Sequence, residues 1–161
     1  GRQVQRCIAG AADRDGFNRK NRVTMTREQS CGAVIFSDDA YLLLRYGWGH
    51  WGFVKGNVEA GEDERETILR EAEEETGLTA DQLSFLEGFR ETISYFYKKD
   101  GRTIYKEVIY LLAESISRDV TLSHEHTDYA WLDYDEAMER LTYDNTREIL
   151  QKAERHRQNN L

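Results

Sequence analysis

Proline is missing from these 161 residues, where average usage of about 5% predicts several. Cysteine occurs only at Cys7 and Cys31, and neither has a second cysteine or a histidine at metal-ligand spacing. A disulfide framework and a thiolate metal cluster are therefore excluded, and a reducing cytoplasm is the expected compartment. No apolar run approaches the roughly 18 residues that span a bilayer, so no membrane partner is expected. Residues 1–10 contain no apolar core of signal-peptide length. Positive charge is in deficit: 22 Lys and Arg against 30 Asp and Glu leave a formal charge of −8. That balance argues against long nucleic acid as a partner. Small phosphorylated substrates stay open, because bound metal ions reverse a local field. Internal repeats and low-complexity tracts are absent as well, and nothing in the sequence fixes an oligomeric state.

What is present is enough for one ordinary domain, with 39% hydrophobic and 32% charged residues. Residues 1–27 stand apart, carrying six Lys or Arg against two Asp up to residue 24 without sustained periodicity. They are expected to form an N-terminal extension or leader, loosely ordered, with the folded domain over 28–161. A functional basic arm is the alternative. Residues 31–36 and 41–45 are apolar runs split by Ser37-Asp38-Asp39-Ala40, which predicts a β-hairpin of largely buried strands. Residues 46–56 hold four glycines among aromatics and read as a loop or broken strand able to approach a ligand closely. Residues 83–89, 92–97, 103–113 and 129–132 are strand-like, with a turn over 98–102. Helices are expected over 135–141 and from 145 to about 157, the last capped by Asp144 or Asn145. Trp51 and Trp131 are expected in the core. Strands, a central helix, more strands and then helices make a mixed α/β domain.

The central helix carries the chemistry. It begins near Glu62 or Asp63, where carboxylates suit the positive end of its dipole, and Gly77 fits its left-handed end. Ile68, Leu69 and Ala72 form its apolar stripe. Glu71, Glu74 and Glu75 share one face, and like charges at that spacing oppose a helix by roughly 0.2–0.5 kcal/mol per pair. No Lys or Arg follows at matching positions, whereas a divalent cation would turn the repulsion into a site. Hard oxygen ligands favour Mg²⁺, with Mn²⁺ as a possible substitute. His124 and His126 alternate around Glu125 but lack a third clear soft ligand, so zinc is not expected. His50 and Lys55 beside the carboxylates suit an anionic substrate. The chemistry indicated is metal-assisted hydrolysis of a phosphoanhydride.

The pattern Gly56-x5-Glu62-x7-Arg70-Glu71-Ala72-x-Glu74-Glu75-x-Gly77-Leu78 resembles the Nudix hydrolase signature at nine constrained positions over 23 residues. The resemblance implies a Nudix-like α/β/α sandwich with a mixed central sheet, over residues 29 to about 155. It implies that Glu71, Glu74 and Glu75 hold metal with the Gly56 carbonyl, that Glu71 or a neighbour is the base, and that Arg70 orients carboxylates. Residues 50–56 and 122–137 further resemble the asymmetrically cleaving diadenosine tetraphosphate hydrolases. By that likeness Tyr46, His50, Lys55 and Lys106 approach the phosphate chain, Glu125 adds a metal-site carboxylate, and Tyr95 and Tyr143 stack adenine. The expected substrate is a dinucleoside polyphosphate, split into ATP and AMP. Removal of 5′-pyrophosphate from RNA, cleavage of another nucleoside diphosphate linked to a further moiety, and non-catalytic nucleotide binding are the alternatives. Two departures stand out: Val54 where that group has proline, which loosens the loop, and Asn57 where it often has histidine.

Overall fold

The computed structural model describes residues 25–161, so the expectations for residues 1–24 fall outside the described residues. The strands are β1 (Thr26–Ser37), β2 (Ala40–Tyr46), β3 (Trp51–Gly52), β4 (Val54–Asn57), β5 (Leu83–Phe85), β6 (Glu91–Lys99), β7 (Arg102–Ser115) and β8 (His126–Leu132). The helices are α1 (Glu64–Thr76), α2 (Tyr134–Arg140) and α3 (Asp144–Asn159). Since β1 opens at Thr26, the domain boundary expected at residue 28 falls inside a strand.

The chain divides into two compact units. The larger comprises Gln29–Ile93 and Val108–Leu161; of the described residues, the smaller takes in 25–28 and Ser94–Glu107. In the larger unit the strands run β3-β2-β1-β7-β5, with β4 also on β1 and β8 on β2. The β1–β2 hairpin closes with Ser37 opposite Ala40, and Asp38 takes the left-handed conformation of a tight turn. Residues 31–37 and 40–44 are buried without a break because both sheet faces are covered. Cys31, Ala33, Ile35, Leu42, Leu44, Ile109 and Ala113 meet Ile68, Ala72 and Leu78 of the α1 segment. On the opposite face the Tyr41 hydroxyl donates to Glu154 at 2.5 Å, and Arg157 of α3 lies over the Phe36 and Tyr41 rings. Burial also pushes the Cys31 thiol up to about 11, which makes it a packing residue rather than a nucleophile.

The smaller unit contains the tip of the β6–β7 hairpin. Asp100 and Gly101 both have positive φ, 53° and 74°, as a two-residue turn of this twist requires. Four expectations need correction. Only Leu83–Phe85 of 83–89 forms a strand, since Gly88 turns the chain at φ 83°. The N-cap of α3 is Tyr143, because Asp144 is already helical and pairs with Arg147 at 2.5 Å. Trp51 is only half-buried, its ring covered by Arg140, and half-buried Trp131 packs at the margin of the core.

Candidate metal and phosphate site

Helix α1 is capped at both ends. Asp63 accepts from the Glu66 N–H at 2.8 Å while the Glu66 carboxylate reaches back to the Asp63 N–H at 3.3 Å. Gly77 stops it at φ 77°, its N–H bonded to the Glu73 carbonyl. Between the caps the three carboxylates reach different depths: Glu74 is 60% exposed, Glu71 14% and Glu75 6%. Glu73 is exposed and off this face.

Arg70 organises the shallow side. Its Nε and Nη2 donate to both oxygens of Glu62 at 2.6 and 3.0 Å, its Nη1 reaches Glu71 at 2.8 Å and Glu74 at 3.3 Å, and Nη2 also holds the Asn57 carbonyl. This fork holds the Glu62 carboxyl down at about 2. A cation therefore does stand four residues from Glu74, but before it, which is the weaker order on a helix.

On the deep side, β4 lies against α1. Gly56 pairs with Cys31, and a Cβ on Gly56 would sit 1.9 Å from the Glu71 carboxyl carbon. Only glycine lets that carboxylate lie across the strand. Burial, helped by neighbouring Glu71, pushes the Glu75 carboxyl up to about 9, and burial also raises Glu71. Glu125 raises both, so it shares their field although its side chain is exposed. Burial lowers Lys55, which the Glu75 charge partly restores. The Glu75 Oε2 is buried and has no hydrogen-bond partner.

Beside the carboxylates stands a group of rings. Tyr46 and His50 stack at 4.6 Å and 4°, and Tyr143 lies 5.5 Å from His50. His126 meets Tyr46 edge-on at 4.6 Å. The turn is pinned by Tyr46 N–H to the His50 carbonyl at 2.8 Å and Gly49 N–H to the Tyr46 carbonyl at 2.7 Å. Burial lowers the His50 imidazole, and the nearby Lys55 charge lowers it further. Tyr143 reaches this group because it caps α3.

The structure thus gathers Arg70, Glu71, Glu74, Glu75, Gly56, Lys55, Tyr46, His50, Tyr143 and Glu125 within the larger unit. Tyr95 and Lys106 belong to the smaller one, where Tyr95 lies 6.3 Å from Tyr97 and Lys106 pairs with Glu28 at 3.7 Å. Sequence reasoning gave no role to His126 or Trp48. The first is buried under Tyr46; the second stands 96% exposed at the turn between Tyr46 and His50. The tryptophan between two glycines was visible in the sequence, whereas its exposure and the depth of His126 were not.

The Nudix domain model matches residues 26–153. The chain belongs to the Nudix family. Rat bis(5′-nucleosyl)-tetraphosphatase (asymmetrical) is 40% identical over 139 residues, covering 78% of this chain and 92% of the rat protein. The crystal structure of a C. elegans Ap4A hydrolase binary complex superposes with a TM-score of 0.68 at 34% identity, over 78% of this chain and 93% of that one. E. coli dihydroneopterin triphosphate pyrophosphohydrolase, at 22% identity and a TM-score of 0.61, shares the fold. This Nudix chain is a phosphoanhydride hydrolase acting on nucleotides, built on the expected α/β fold with a mixed sheet.

Proposed function

We propose that the chain hydrolyses diadenosine tetraphosphate to ATP and AMP with Mg²⁺. The observation that carries this reading is the meeting of the Glu71–Glu75 pair, seated at Gly56, with the Tyr46–His50–Tyr143 rings in one unit. A phosphate chain needs the first group and an adenine the second. The 40% identity to an enzyme named for this substrate supports the same choice.

The residues fit a divalent cation. A buried carboxylate oxygen without a partner and two carboxyls raised by burial and by neighbouring carboxylates are what a bound cation would relieve. Among the described residues no three acidic, histidine or cysteine side chains are grouped so as to hold a metal ion by themselves. An open set suits Mg²⁺, which keeps waters and takes a few carboxylates plus substrate phosphates. Glu71, Glu75, Glu74, Glu125 and the Gly56 carbonyl would hold it. When bound, it neutralises phosphate oxygens and lowers the pKa of a water.

The chain's own residues do the rest. Arg70 keeps Glu71 and Glu74 turned to the site, and Glu71 or a neighbour takes the proton of the attacking water. Lys55 and His50 face the phosphate chain, and Tyr143 stacks on adenine beside Tyr46. Tyr95 and Lys106 keep the substrate contacts implied by the resemblance, a proposal resting on that likeness alone. Water adds across one phosphoanhydride bond, giving AMP and ATP. We place the reaction in the cytoplasm, in keeping with a buried free Cys31; no described helix is long and apolar enough to cross a membrane.

The test compares kcat/KM over dinucleoside polyphosphates, capped and triphosphorylated RNA, nucleotide sugars and oxidised deoxynucleotides. Diadenosine tetraphosphate is expected to lead the panel. Slow cleavage of it beside fast cleavage of another member would sink the assignment.

A further inference from the structure

Two buried polar atoms in the larger unit have no hydrogen-bond partner, and they belong to side chains facing each other: Oε2 of Glu75 and Nε2 of His126. The His126 side chain is 1% exposed, and its Nε2 lies 3.9 Å from the other Glu75 oxygen, Oε1. Leaving buried polar groups unsatisfied is costly, so two of them opposed call for an explanation.

We infer that His126 is a positioning residue whose Nε2–H donates to the Glu75 carboxylate when that carboxylate binds a cation. The inference rests on the metal role proposed for Glu75. The imidazole is anchored on every other side. Its Nδ1 lies 3.3 Å from the Ser123 hydroxyl, and accepting from that hydroxyl leaves the proton on Nε2, aimed at Glu75. The His126 N–H bonds the Ser123 carbonyl at 3.2 Å, and the Ser123 N–H bonds the Glu75 carbonyl at 3.2 Å. The loop that carries the imidazole is therefore tied to the main chain of the residue it serves. A second tie, Thr121 N–H to the Thr76 carbonyl at 2.9 Å, fixes the same loop to the end of α1. Tyr46 closes the remaining side: its ring packs on His126 and its hydroxyl holds the Phe53 carbonyl. At 3.9 Å the imidazole stands just outside hydrogen-bond reach, so a small turn of the carboxylate completes the contact. Outer partners of this kind fix the orientation of a metal-ligating carboxylate.

Mn²⁺ binding to the full chain, followed by the EPR signal of free Mn²⁺ without substrate, tests this. His126→Phe keeps a ring against Tyr46 and removes the donor; it should weaken Mn²⁺ binding by about 10–100-fold, the range for lost outer partners, with an unchanged melting midpoint. His126→Gln, whose amide can still reach Glu75, should recover most of the loss, and His126→Asn, whose amide is shorter, should not. Full-strength binding by the Phe variant beside weak binding by Glu75→Gln overturns the inference and leaves the metal site standing. If His126→Phe does not melt cooperatively, the Gln and Asn variants decide, and equal binding by those two overturns it. Undiminished binding by Glu75→Gln removes the metal role of Glu75, and the inference with it.

Discussion

Glu71 and Glu75 lie four residues apart on α1, yet one leans on Arg70 and Gly56 while the other is buried almost without a partner. Burial favours the neutral form of Glu75, so a glutamine in its place matches the apo side chain in shape and charge. Glu71→Gln and Glu75→Gln should therefore lower kcat by orders of magnitude while the melting midpoint stays within about 4 °C, the shift of roughly 1 kcal/mol in a domain of this size. Near-normal turnover in both would refute their role. Glu62 makes a different prediction, because Arg70 depresses its carboxyl to about 2 in the fold. A depressed folded value stabilises above the unfolded value near 4.5 and is lost as pH falls toward 2. Wild type should lose stability to urea more steeply than Glu62→Gln between pH 5 and pH 2. Parallel slopes would show that the Arg70 fork contributes nothing.

Strand β4 and helix α1 act as one element, since the Glu71 carboxylate occupies the space of a Gly56 side chain. Gly56→Ala should displace that carboxylate and reduce kcat at least as much as Glu71→Gln, while the far-UV circular dichroism keeps its shape. Gly77→Ala belongs to stability alone: at φ 77° an L side chain costs about 1–2 kcal/mol, read as a lower midpoint with unchanged kcat. Helix α1 was legible in the sequence because its cap, stripe and terminal glycine all point to one answer. The β1–β2 hairpin was legible for a similar reason, an Asp-rich turn between apolar runs. The end of strand β5 was not, because Leu86 and Phe89 continue the apolar pattern past Phe85 while Gly88 turns the chain away. The carboxylate spacing could be read directly, but its depth gradient could not, since burial depends on β4 crossing the helix. The ring group was equally hidden. Tyr46 meets His126 only through the β2–β8 register, which slips at a bulge between Arg45 and Tyr46.

For the molecule as a whole, the family match spans residues 26–153, and every residue assigned here to metal or phosphate lies inside it. Deleting residues 1–24 should accordingly spare turnover; loss of activity in a truncation that still melts cooperatively would give the basic segment a role. The net charge of −8 makes the same kind of statement about partners, disfavouring long RNA against a compact dinucleotide whose charge a bound cation offsets. The most direct measurement is the product ratio from diadenosine tetraphosphate with Mg²⁺, resolved by ion-exchange chromatography. ATP and AMP in equal amounts, abolished by chelation and by Glu75→Gln, is the predicted result. Two ADP per substrate, or no turnover while another nucleotide is cleaved rapidly, would contradict it.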